Sequence, residues 1–287
     1  MKFRLSPYLW SVGIMAAALA FSLFVANYNQ PAMAEAQIPY QATPLWLILT
    51  YFFSAVVVIA LVLFFLPMKY LKYVFRVVFA IMFAWGVLVV TFFHLPDAAS
   101  YTLAALAGLA WIFFARIWLH NLLLLVALAA AASVFGFVFS PWTFMIFMLV
   151  VSVYDVLSVR FGLMVWMADK LSNTVSLPAF VFPKNVADVR LNLQSVQVGE
   201  LKNVSAEKRE HTILGGGDIG FPLMLANSVY FAHGMNAAIL TGAFAIVGLV
   251  GAFLMQKFLY KGKPVPALPP IAIMSLIGFL IGSNYLV

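Results

Sequence analysis

Residues 141–168 read PWTFMIFMLVVSVYDVLSVRFGLMVWMA. The run is long enough to cross a bilayer, which takes about 20 apolar residues. Yet it holds a carboxylate, Asp155, past its midpoint. The next apolar run, residues 213–233, reads ILGGGDIGFPLMLANSVYFAH and carries another, Asp218. An ionised carboxylate is costly in hydrocarbon, so acids inside apolar segments mark sites of function. Asp155 and Asp218 are the only acidic residues of the chain in such segments.

The rest of the chain agrees with a membrane setting. Its 287 residues are 65% hydrophobic and 9% charged, with a mean hydropathy of +1.06. A soluble domain of this size does not have that composition. There is no cysteine, which excludes disulfides, thiolate nucleophiles and Cys-ligated metals. The formal charge of +7 reflects topology signals. No basic stripe interleaved with aromatics suggests a nucleic acid partner.

Nine segments have the length and apolarity of transmembrane helices: 8–27, 45–66, 74–93, 99–115, 119–139, 141–168, 213–233, 235–256 and 268–287. Helices are expected because lipid satisfies no backbone polar group. The first run is too long for a secretory signal core and is read as a span. With nine spans, fifteen of the sixteen Lys and Arg residues fall on one face. The sixteenth, Arg160, lies at the end of the sixth span, from where it can snorkel to that face. The N-terminus is therefore expected in the cytoplasm and the C-terminus outside. The expected fold is an all-α membrane protein with six N-terminal helices (1–168), a partly flexible cytoplasmic loop (169–212) and three C-terminal helices (213–287). Within the loop, Val189, Leu191 and Leu193 alternate with polar residues, the pattern of a short strand.

On antiparallel neighbours, Asp155 and Asp218 are expected at similar depth, with Asp218 about six residues into its span, or 8–9 Å. Two carboxylates in contact cannot both ionise, so they hold one proton between them. One can then take a proton from water while the other donates to a carbonyl oxygen, which is the chemistry of aspartic peptide hydrolysis. Gly215, Gly216 and Gly217 precede Asp218 and Pro222 follows it. These residues loosen a helix and let another backbone approach. Pro264-Val265-Pro266-Ala267-Leu268-Pro269-Pro270 makes an irregular start to the last span.

Tyr154-Asp155, Gly215-Gly216-Gly217-Asp218 and Pro266-Ala267-Leu268, in this order on the sixth, seventh and ninth spans, resemble the Tyr-Asp, Gly-x-Gly-Asp and Pro-Ala-Leu motifs of the presenilin and signal peptide peptidase family. The nine-span layout and the long loop after the sixth span are similar too. The expected orientation is that of presenilin, and the absence of long polar extensions is most like its archaeal members, hence a prokaryotic cell membrane. The resemblance implies an intramembrane aspartyl protease that cuts single-span helical substrates. It implies Asp155 and Asp218 as the catalytic pair and Tyr154 beside the first aspartate. Gly215, Gly216 and Gly217 would shape the second motif, and Pro266, Ala267 and Leu268 would line the site. It implies no cofactor, no metal, no nucleic acid and no obligatory subunit; the partners are transmembrane substrates and lipid. Gly216 stands where presenilin commonly has Leu, and Ile219 replaces the usual Phe. These departures bear on substrate preference and cleavage register rather than on the acid chemistry. A substrate strand is expected to add to residues 210–214, just before Asp218.

The competing reading from the residues is a proton-coupled transporter with a buried acid pair. No internal repeat and no further polar pathway support it. A prepilin-type peptidase also uses Gly-x-Gly-Asp, but typically with a Lys soon after the motif, where Ile219, Gly220 and Phe221 stand here. The chain has no His-Glu-x-x-His for a metalloprotease and no Gly-x-Ser-Gly for a rhomboid-like serine protease. Its four histidines are expected at interfaces or in loops.

Overall fold

A computed structural model describes residues 7–41, 43–163, 166, 177–193, 211–260 and 265–285. Among them are nine α-helices: α1 Pro7–Glu35, α2 Leu45–Phe65, α3 Met68–Thr91, α4 Asp97–Phe113, α5 Ile117–Val138, α6 Pro141–Arg160, α7 Gly216–His233, α8 Met235–Phe258 and α9 Leu268–Tyr285. Six of these (α1, α2, α3, α5, α6 and α8) are long and apolar enough to cross a membrane, and α4 and α9 are shorter apolar helices. The chain is an integral membrane protein built of helices.

The fold is not purely helical. Strands β1 (Ala179–Pro183) and β2 (His211–Gly215) pair antiparallel, with Ala179 opposite Gly215 and Val181 opposite Ile213. β1 reads AFVFP and all five residues are buried, as suits β-branched and aromatic side chains on a pleated surface. The strand expected at Val189–Leu193 is instead the end of a 3-10 turn, Val186–Arg190, followed by one bridge between Asn192 and Arg116. Alternation over so few residues does not specify a strand unless an edge lies within reach. Much of the long loop, residues 167–176 and 194–210, lies outside the described residues.

Of the helix ends that differ from expectation, such as α1 running to Glu35 rather than 27 and α3 beginning at Met68 rather than 74, two bear on the site. α6 stops at Arg160 rather than running to residue 168. Phe161 closes it by donating its N–H to Leu157 O, and Gly162 takes φ +73°, the left-handed conformation that ends many helices. α7 begins at Gly216 rather than 213, because residues 211–215 are strand. Asp218 is thus the third residue of its helix, not a turn and a half in.

The described residues form two compact units. One is drawn from Phe53–Ala127 and Gly162–Gly216 with the start of α1. In it α3 packs on α4, and Gly108 lets the Ala80 carbonyl approach to where an added Cβ would lie 3.0 Å from its oxygen. The other takes Val12–Phe52, Leu128–Phe161 and Gly217–Val287. In it α9 packs on α8 and on α6. Glycines make the α8–α9 contact close: a Cβ on Gly278 would lie 2.7 Å from Phe244 Cβ, and one on Gly282 3.0 Å from Ala237 Cα. Such small-residue seams replace the hydrophobic drive that helices lack in lipid.

The seam continues to the start of α9, where a Cβ on Gly248 would meet Ile271 Cα at 2.6 Å and Pro270 O at 2.7 Å. Backbone at that distance cannot yield without moving the helix start. Gly248→Val is therefore expected to cost about 1–3 kcal/mol, seen as a lower Tm in detergent. It should also lower activity by displacing Leu268. A variant with wild-type Tm and activity would show that the seam does not hold this end of α9.

Candidate active site

Asp155 lies in the penultimate turn of α6 and is half-buried. Its Oδ2 accepts the backbone N–H of Leu268 at 3.3 Å. Leu268 is the first residue of α9, and the N–H groups of a helix's first turn have no partner within the helix. Here the prolines remove two of the four. Pro269 and Pro270 have no N–H, and Ile271 N reaches Ala267 O at 3.5 Å. The Leu268 N–H is the first-turn donor left, and it meets Asp155. A helix N-terminus also favours a negative charge. Two motifs more than a hundred residues apart are joined by this contact. Pro266 and Leu268 are buried beside it and Ala267 is half-buried.

Asp218 is half-buried in the first turn of α7. Each residue before it has a distinct role. Gly215 ends β2 opposite Ala179. Gly216 donates its N–H to Pro178 O at 2.8 Å, and a Cβ there would come within 2.9 Å of that oxygen. Gly217 is exposed, and a Cβ there would sit 3.2 Å from the Phe221 ring. Pro222 lies inside α7 and lacks the N–H that would bond to the Asp218 carbonyl. The chain therefore changes from strand to helix within three residues of the aspartate.

Aromatic rings that sequence reasoning missed link the two acidic segments. The Phe52 ring lies 5.3 Å from Phe147, 6.1 Å from Phe221 and 6.2 Å from Tyr154. Phe147 and Phe221 are 5.6 Å apart. Tyr154 precedes Asp155, and Phe221 stands three positions after Asp218, so both motifs rest on one aromatic cluster. Phe221 had a signal, one helical turn from Asp218; Phe52, in α2, had none.

A polytopic helical protein with a membrane-segment carboxylate seated on a proline-rich helix start has the form of an intramembrane aspartyl protease. The family model described as signal-peptide peptidase, presenilin aspartyl protease matches residues 10–286. The chain belongs to this family, and it is an intramembrane aspartyl protease. Solved structures share the fold. A presenilin family intramembrane aspartate protease in space group C222 superposes with a TM-score of 0.64 at 17% identity, over 96% of this chain and 98% of that one. One in space group P2 gives a TM-score of 0.58 at 19% identity, over 93% and 95%. A comparison with curated proteins gave no match.

Proposed function

We propose that the enzyme hydrolyses peptide bonds within the transmembrane helices of single-span substrates, with Asp155 and Asp218 sharing one proton. The observation that carries the reading is the Leu268 N–H on Asp155 Oδ2, which seats one acid on the Pro-Ala-Leu segment. In the reaction, water attacks the scissile carbonyl carbon and passes a proton to the ionised carboxylate. The protonated carboxylate gives its proton to the carbonyl oxygen, leaving a gem-diol. Collapse of the gem-diol breaks the C–N bond, and the leaving nitrogen takes up a proton. Tyr154 borders the first acid. Gly215, Gly216 and Gly217 shape the approach to the second, and Pro266, Ala267 and Leu268 border the site.

A helical substrate must unwind before its carbonyl is accessible, and its freed backbone groups need partners. β2, His211–Gly215, overlaps the stretch expected to take a substrate strand and belongs, among the described residues, to a two-stranded sheet. Strand addition there would satisfy those groups. The reading includes nine spans in a six-plus-three division, a cytoplasmic N-terminus in a prokaryotic membrane, and action without a partner subunit.

The test is reconstitution of the purified protein with a synthetic single-span peptide and mass spectrometry of the products. Cleavage inside the apolar segment is expected. Intact peptide, or cuts only in its polar flanks, would overturn the proposal. A pair holding one proton also predicts a bell-shaped dependence of kcat on pH, since activity falls when both acids are protonated or both are ionised. A rate that stays flat across the titration range would count against the shared proton.

A further inference from the structure

The hydrogen-bonding alternation of the sheet shows which groups face which way. The Gly216 N–H bonds to Pro178 O, so in this register Phe180–Leu214 and Phe182–Thr212 are the pairs that bond across. Val181 and Ile213 then turn their N–H and C=O groups outward, on opposite edges. The outer edge of β1 is closed. Asn121 donates Nδ2–H to Val181 O at 2.8 Å and accepts the Val181 N–H on Oδ1 at 3.0 Å. One side-chain amide thus makes both bonds that a neighbouring strand would make. Beside it, His120 Nε2 donates to Ala179 O at 2.9 Å.

His120 is fully buried. Its ring lies 5.1 Å from Trp111, 5.8 Å from Phe83 and 6.3 Å from Phe79. Its Nε2 carries the proton given to the Ala179 carbonyl. His120 lies in a helix rather than a loop and is a fixed donor in an aromatic box. Both residues belong to the first turns of α5, which ties β1 to a helix.

We propose that His120 and Asn121 are positioning residues for proteolysis: they close the outer edge of β1, so that among the described residues the β2 edge is the one left for a substrate strand at Ile213, and thereby set which peptide bond is cut. β1 is held at Ala179 and Val181. Its register with β2 fixes Ile213, whose outward groups the substrate would meet. The Pro178–Gly216 bond then fixes the chain two residues before Asp218. This inference rests on strand addition at β2 as proposed above.

The experiment maps cleavage of one synthetic single-span peptide in proteoliposomes by three enzymes: wild type, Asn121→Leu and Ile213→Pro. Ile213→Pro removes an outward N–H at a sheet edge, where proline is tolerated. It is expected to raise KM by about tenfold, the effect of one lost hydrogen bond. Asn121→Leu is expected to spread the cuts over neighbouring bonds and to raise KM more than it lowers kcat. A purely structural role would lower Tm without moving the cuts. If Asn121→Leu does not fold, Asn121→Asp keeps the acceptor for Val181 N–H and should spread the cuts to a smaller extent. Wild-type cleavage sites in the Asn121 variants, with Ile213→Pro impaired, would overturn the positioning role alone. Wild-type KM and sites in Ile213→Pro would overturn strand addition, and this inference with it.

Discussion

Asp155→Asn and Asp218→Asn are each expected to reduce peptide cleavage by about a thousandfold or more, the scale of a lost general acid or base. Asparagine keeps the shape and the hydrogen-bond acceptor of aspartate but cannot exchange a proton. The Leu268 N–H therefore still finds an oxygen in Asp155→Asn, and α9 should start where it does in the wild type. Both variants should fold, with Tm in detergent close to that of the parent. Combining them should cost little more than either alone, because two groups that act as a unit are grossly non-additive. Product formation followed by mass spectrometry decides the matter. Cleavage that survives either single substitution would remove that residue from the chemistry.

Leu268→Pro should lower kcat/KM by about ten- to a hundredfold beyond Leu268→Ala, the range for one hydrogen bond to a charged group. Both substitutions remove a buried side chain, but only proline removes the N–H that meets Asp155. Proline is well tolerated in the first position of a helix, so α9 should survive. The difference between the two variants isolates a single backbone donor. Equal activities would mean that the contact does not orient the acid.

The two carboxylates, the glycine run and the proline cluster are legible in the sequence, because each violates what a membrane helix otherwise requires. The contact of Asp155 with Leu268 is not, since periodicity carries no information on contacts between distant segments. The strand–helix junction was hidden for a related reason. Ile213 and Leu214 are apolar, and an apolar run before glycines reads as helix until a strand partner at Ala179–Pro183 is known. Asn121 shows the same limit from the other side. Together with Arg116 and His120 it read only as a polar interruption between two spans, whereas its amide completes a sheet edge. Phe52 was indistinguishable from the other apolar residues of its helix.

The seat of Asp155 has a consequence for how this site can be mapped. Its partner is main chain, so a survey that trims side chains to alanine at residues 266–270 would leave the Leu268 donor in place. Alanine at Pro269 or Pro270 would even add N–H groups near the acid. The informative changes there are those that give or withhold a backbone proton, and a side-chain scan would record this contact as silent.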